Sequence, residues 1–145
     1  MSREDVPQSA KDEMDALLDL LMGFAVEMLE QHSEFYPFAG VITANGELQQ
    51  LGGYTGDEHP ASAEVLQLLE DGLRERGDDI RAAAVASDVR VADEATGADQ
   101  DAVRVHIEHR EGDAVDVYLP YVKKRLKGVE FGDIFASPAD GTILR

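Results

Sequence analysis

A basic cluster near the C-terminal end holds four of the chain's 13 positive charges within five residues. Its members are Lys123, Lys124, Arg125 and Lys127. Such a cluster in an acidic chain is typical of an anion site or a docking patch. The alternative is an exposed strand end that neutralises carboxylates within the protein or across a dimer. We predict a contact patch formed by Tyr118, Tyr121, Lys123, Lys124 and Arg125.

A histidine and an aspartate could form a general-base pair. His106 and Asp116 fall opposite each other in the hairpin predicted below, where the carboxylate could hold the imidazole in one tautomer. No Ser or Thr lies on the same predicted face to act as a nucleophile. We therefore expect a cross-strand polar pair on a solvated face.

A second grouping has the residue types of a metal site. His32 and the loop residues Asp57, Glu58 and His59 could bind a divalent ion if their loops converge. Nothing in their spacing resembles the pair of histidines four residues apart on a helix that binds zinc. Turn and capping roles explain Asp57 and Glu58, so we predict no metal and no cofactor.

The first half of the chain predicts a helix, a hairpin and a second helix. Apolar residues recur every three or four positions from the N-cap Ser9 to about His32. Asn45-Gly46 between two extended runs indicates a tight hairpin with a type I′ turn. The second helix should start at Pro60 and end at the cap Gly77.

The second half predicts three strands, beginning with residues 80–92. The last two strands alternate polar and apolar residues on either side of Arg110-Glu111-Gly112. A three-residue loop sets Val105 opposite Val117 and gathers the valines on one face, whereas a two-residue loop mixes the faces. This register places Gly112 where a bulge needs a left-handed residue.

These elements predict a single α+β domain over residues 9–145, after a disordered lead-in over residues 1–8. The order is helix, two strands, helix and three strands. We expect a five-stranded, mostly antiparallel sheet. Both helices should cover one face of it, because their apolar stripes must be buried.

Composition limits the class of protein further. The 145 residues include 30 acidic side chains, a net charge of −17 and no cysteine, which excludes disulfides and thiolate chemistry. No apolar run approaches the roughly 20 residues that span a bilayer, and the N-terminus is not a secretory signal, so we expect a cytoplasmic protein. The charge repels phosphates, so neither nucleic acid nor a membrane is an expected partner. It is also compatible with a solvated surface, adaptation to high salt or a basic partner.

Three segments resemble a set of small, uncharacterised bacterial proteins with no assigned activity. They are Phe35-Tyr36-Pro37-Phe38-Ala39, Tyr54-Thr55-Gly56-Asp57-Glu58 and Asp116-Val117-Tyr118-Leu119-Pro120-Tyr121. The resemblance covers residues 30–136 and implies no catalytic residue. The element order and the turn at residues 40–46 are also similar to roadblock-type domains, a regulatory scaffold. This chain departs from them in its Gly- and Pro-containing tail, where a closing helix is often found.

We therefore expect a non-catalytic interaction or regulatory module that acts through the predicted contact patch. Its partner would be a protein or a second copy of the chain. One alternative is a small-molecule or metal-binding enzyme that uses the Asp57-Glu58-His59 loop. Another is an acidic antidote that covers a basic toxin.

Overall fold

The computed structural model describes residues 6–52, 61–93, 95–126 and 128–144. The helices are α1 (Gln8–His32) and α2 (Ser62–Arg76), and a short 3-10 turn follows α2 over Gly77–Asp79. The strands are β1 (Phe38–Thr43), β2 (Leu48–Gly52), β3 (Ile80–Ala92), β4 (Asp99–His109), β5 (Ala114–Lys123), β6 (Val129–Phe131) and β7 (Phe135–Ala139). The α+β class and the order of the first seven elements are as predicted.

The sheet has seven strands, so the prediction of five was wrong. Its order is β2-β1-β3-β4-β5, and every pairing is antiparallel. The two additional strands come from the tail. The strand β6 pairs with the end of β5 and β7 pairs with its beginning, so together they cover the outer edge of β5.

The two helices lie on opposite faces of the sheet, which corrects the prediction that both cover one face. Leu17 and Leu21 of α1 share a buried cluster with Val105. Val65 and Leu69 of α2 belong to a second cluster. The reason lies in β1 and β3, where successive side chains alternate between faces and are apolar on both. The residues on the face of α1 are Phe38, Ile42, Ala82, Ala84 and Ala86, and those on the face of α2 are Ala39, Val41, Ala83 and Val85.

The predicted register of the β4–β5 hairpin is confirmed. Val105 lies opposite Val117, and both are buried beneath α1. Gly112, however, is not left-handed. A Cβ atom at Gly112 would lie 3.4 Å from Met14 Sδ and 3.3 Å from Val6 Cγ1, so its small size lets the loop pack closely against the start of α1.

The other local predictions differ from the structure in detail, and the predicted type I′ turn is wrong. The first hairpin has a three-residue loop, Ala44, Asn45 and Gly46, because the backbone N–H of Thr43 donates to the carbonyl oxygen of Glu47 at 2.8 Å. Gly46 alone of the three is left-handed (φ 88°), so the loop is not a type I′ turn. The helix α1 begins at Gln8 after Pro7, one residue before the predicted cap Ser9. Gly77 ends α2 as expected, with φ 53°. Pro60 and residues 1–5 of the lead-in lie outside the described residues.

Gly40 provides a test of how closely α1 approaches β1. A Cβ atom there would lie 2.6 Å from Leu21 Cδ1 and 3.2 Å from Leu17 Cδ2. We expect Gly40→Val to lower the free energy of unfolding by about 1–3 kcal/mol, because it overpacks this contact. Urea denaturation measures the change. Gly52→Val is the control, since a Cβ atom at Gly52 meets nothing within 4 Å; equal losses in both variants would contradict the packing argument.

Candidate functional site

His106 on β4 and Asp116 on β5 form the cross-strand pair that the sequence predicts. They are directly opposite in the register, and His106 Nδ1 lies 2.7 Å from Asp116 Oδ1. The pair does not lie on a solvated face, because His106 is buried and Asp116 is only partly accessible. The predicted exposure was wrong, since α2 and residues 140–144 flank this face of the sheet.

Glu108 contacts the other side of the same imidazole. It is two residues along β4, so its side chain points to the same face, and its Oε2 atom is 2.6 Å from His106 Nε2. An ionised carboxylate can only accept hydrogen bonds, so with Glu108 and Asp116 ionised both ring nitrogens donate and the ring is an imidazolium. Burial by itself would lower the pKa of His106, but the hydrogen bonds to Glu108 and Asp116 outweigh it and raise the pKa above 6.5.

The same carboxylate holds the C-terminal segment, which we define as residues 140–144. Glu108 is only 1% exposed and accepts hydrogen bonds from the backbone N–H groups of Thr142 (2.8 Å), Ile143 (3.0 Å) and Leu144 (3.0 Å). Burial alone would raise the pKa of Glu108, but these bonds and the His106 contact lower it to about 2. The buried Glu108 carboxylate is therefore fully hydrogen-bonded, and its bonds attach the C-terminal segment to the sheet.

Two arginines also hold this segment. Arg110 donates to the carbonyl oxygens of Leu144, Ile80 and Gly77, and so joins the tail to the end of α2 and the start of β3. Arg74 of α2 donates through Nε to the carbonyl oxygen of Thr142 at 2.8 Å. The segment is therefore bound to the sheet on one side and to α2 on the other.

This arrangement decides what His106 can do. A general base needs a free nitrogen lone pair directed at its substrate, and both nitrogens of His106 already donate to carboxylates. The network is suited to holding the C-terminal segment against the sheet and not to acting as a base–nucleophile pair. Glu108 was not singled out from the sequence, although its position two residues after His106 places it on the same face.

A cleft of about 470 Å³ lies beside this network, between α2, the sheet and the C-terminal segment. Six charged residues line it, three of each sign. They are Arg74, Arg104, His106, Glu70, Asp116 and Asp140. Its size lies within the range of small-molecule sites.

The predicted contact patch is only partly a surface. Lys123, Lys124 and Arg125 are exposed where β5 turns into β6. Tyr118 is half-buried and stacks on Phe135, with ring centroids 5.0 Å apart. Tyr121 is 2% exposed in the core beneath α1, and its hydroxyl donates to Asp88 at 2.8 Å, so it anchors the strand instead of contacting a partner. Lys127 lies outside the described residues.

The predicted metal grouping is mostly not described. His32 is an exposed residue at the end of α1. Asp57, Glu58 and His59 lie outside the described residues. Within the part of the chain that the structure describes, no three His, Cys, Asp or Glu residues form a group that could hold a metal ion.

The chain matches no protein-family model, no curated protein and no solved structure. In the described residues, neither helix combines the length and apolar character that crossing a membrane requires.

Glu108→Gln tests whether the Glu108 carboxylate holds the C-terminal segment in place. The amide cannot accept all the bonds that the carboxylate accepts, so we expect the free energy of unfolding to fall by about 3–5 kcal/mol. Hydrogen exchange should show lost protection at the backbone amides of Thr142, Ile143 and Leu144. The exposed Glu111→Gln is the control. Unchanged protection at these three amides in Glu108→Gln would show that Glu108 does not hold the segment.

The same network predicts how stability depends on pH. The raised pKa of His106 means that its contribution is fully present below about pH 6.5 and is lost as the pH rises through its folded pKa. The lowered pKa of Glu108 means that its contribution is present above about pH 4.5 and is lost as the pH falls toward about 2.

Chemical denaturation from about pH 5 to about pH 9 measures the first of these effects. The free energy of unfolding of the unmodified chain should fall toward high pH by more than that of His106→Gln. His32→Gln, at an exposed position, should keep the full slope. Parallel curves for the unmodified chain and His106→Gln would show that His106 is not charged in the fold.

Proposed function

We propose that this protein is a non-catalytic interaction module that binds an acidic surface of a partner protein through the hairpin tip, defined as residues 122–126. The observation that carries the proposal is the exposure of apolar and basic side chains together at this turn. Leu126 is 97% exposed and Val122 is 60% exposed, and Lys123, Lys124 and Arg125 lie between them.

The base of the tip is well anchored. Tyr121 is buried immediately before it, and the strands β5 and β6 pair from Tyr121–Phe131 to Lys123–Val129. The backbone N–H of Lys124 donates to the carbonyl oxygen of Gly128 at 3.0 Å, and Gly128 is left-handed with φ 94°. An anchored turn loses little conformational entropy on binding, which favours recognition.

Charge indicates the kind of partner. The tip carries three adjacent positive charges on a chain with a net charge of −17. Local attraction to an acidic protein surface would orient the partner toward the tip, while Leu126 and Val122 would supply apolar burial. A nucleic acid or an anionic membrane would extend beyond the tip and meet the acidic remainder of the protein. A second copy of the chain presents acidic surface but also repels at long range.

Photo-crosslinking from the tip tests this function. With p-benzoylphenylalanine in place of Leu126, we expect crosslinking in source-cell extract to a protein with an acidic surface. Adding Lys123→Ser, Lys124→Ser and Arg125→Ser should reduce the yield about tenfold or more, because the steering charges are lost. Mass spectrometry identifies the crosslinked species.

A charge-matched control carries Lys11→Ser, Arg76→Ser and Arg81→Ser, which remove the same number of positive charges; Arg81 lies near the end of β3 that pairs with His109, away from the tip. It should retain the crosslink. Equal losses in both triple variants would contradict a role for the tip. So would crosslinking only to the chain itself, retention on vesicles of phosphatidylserine and phosphatidylcholine, or binding to duplex DNA.

A further inference from the structure

The cleft beside the Glu108 network contains an arginine with an unmet hydrogen-bonding requirement. Arg104 lies opposite Tyr118 in the β4–β5 register and lines the cleft. Its Nε atom is buried and has no hydrogen-bond partner, and none of its guanidinium atoms is paired with another described residue. A buried donor without a partner is costly, and in native proteins water, an ion or a ligand usually satisfies it.

The other cationic groups of the cleft are already engaged. Arg74 donates to Asp71, to Glu70 and to the carbonyl oxygen of Thr142. His106 donates from both ring nitrogens, as described above. Arg104 is therefore the group among the described lining residues that is available to bind an anion.

The cleft also has a carboxylate that is available to bind a cationic group. Asp140, at the start of the C-terminal segment, is exposed at the cleft and pairs with no described residue. Glu70 and Asp116 are engaged by Arg74 and His106. The cationic lining residues are matched by Glu70, Asp116 and Asp140, and Glu108 adds a negative charge against His106, so the site has no excess positive charge for a phosphate dianion. A ligand that carries one negative and one positive group would preserve the balance.

We infer that this cleft binds a small zwitterion of the amino-acid type. Its carboxylate would accept from Arg104 and its ammonium group would donate to Asp140. A guanidinium suits this role because it presents paired N–H donors to a carboxylate. The inference rests on the cleft alone and is independent of the partner proposed for the hairpin tip.

Nuclear magnetic resonance of the full chain tests it, using the Nε–H signal of Arg104 as a local reporter. The probes are a mixture of the twenty L-amino acids and then each one singly, with acetate, methylamine and inorganic phosphate as separate arms. We expect at least one amino acid to shift the Arg104 signal in a saturable manner, and acetate and methylamine to bind at least about tenfold more weakly.

Two cleft variants and one control complete the test. Arg104→Gln and Asp140→Asn should each weaken binding of that amino acid by about tenfold or more, measured by isothermal titration calorimetry because Arg104→Gln lacks the Nε–H reporter. Arg90→Gln, at an exposed position in the same sheet, should leave it unchanged. Saturable binding of phosphate alone would overturn the inference in favour of a simple anion site. The absence of a saturable shift with any probe at millimolar concentration would also overturn the inference.

Discussion

The buried carboxylate of Glu108 is the interaction on which the face of the sheet beside α2 depends. A carboxylate that is 1% exposed is tolerated only because an imidazolium and three backbone N–H groups satisfy it. Those three N–H groups belong to a segment with no regular secondary structure, which Glu108 provides with a defined position. That position forms one wall of the cleft and keeps His106 buried.

A second constraint is that β1 and β3 are apolar on both faces. Their small residues, Ala82, Ala84 and Ala86, allow α1 to lie close to the sheet, and Gly40 brings β1 into contact with Leu21. The opposite faces of the same strands pack against the apolar residues Val65, Leu69 and Leu73 of α2. A three-layer arrangement follows, because each amphipathic helix needs its own apolar surface.

Both proposals concern binding, one at the cleft and one at the hairpin tip. Both ring nitrogens of His106 contact carboxylates, whereas no described residue pairs with Arg104 Nε or with Asp140 in a cleft of suitable size. The hairpin tip is a separate surface, in which exposed Leu126 and three cations extend beyond a strand anchored by Tyr121. A small ligand and a protein partner would thus occupy different parts of the molecule.

The sequence alone determined the local features that depend on periodicity and turn chemistry. Alternation of Val105 and Val117 with polar residues was enough to set the register and to place His106 opposite Asp116. It could not show that Tyr121 is buried or that the tail forms two strands, because short edge strands have no strong period. Only the tertiary structure decided that α1 and α2 lie on opposite faces and that Glu108 holds residues 142–144. The Glu108 contacts join positions about 34–36 residues apart through backbone N–H groups. Every residue except proline has such a group, so no sequence pattern reveals the contacts.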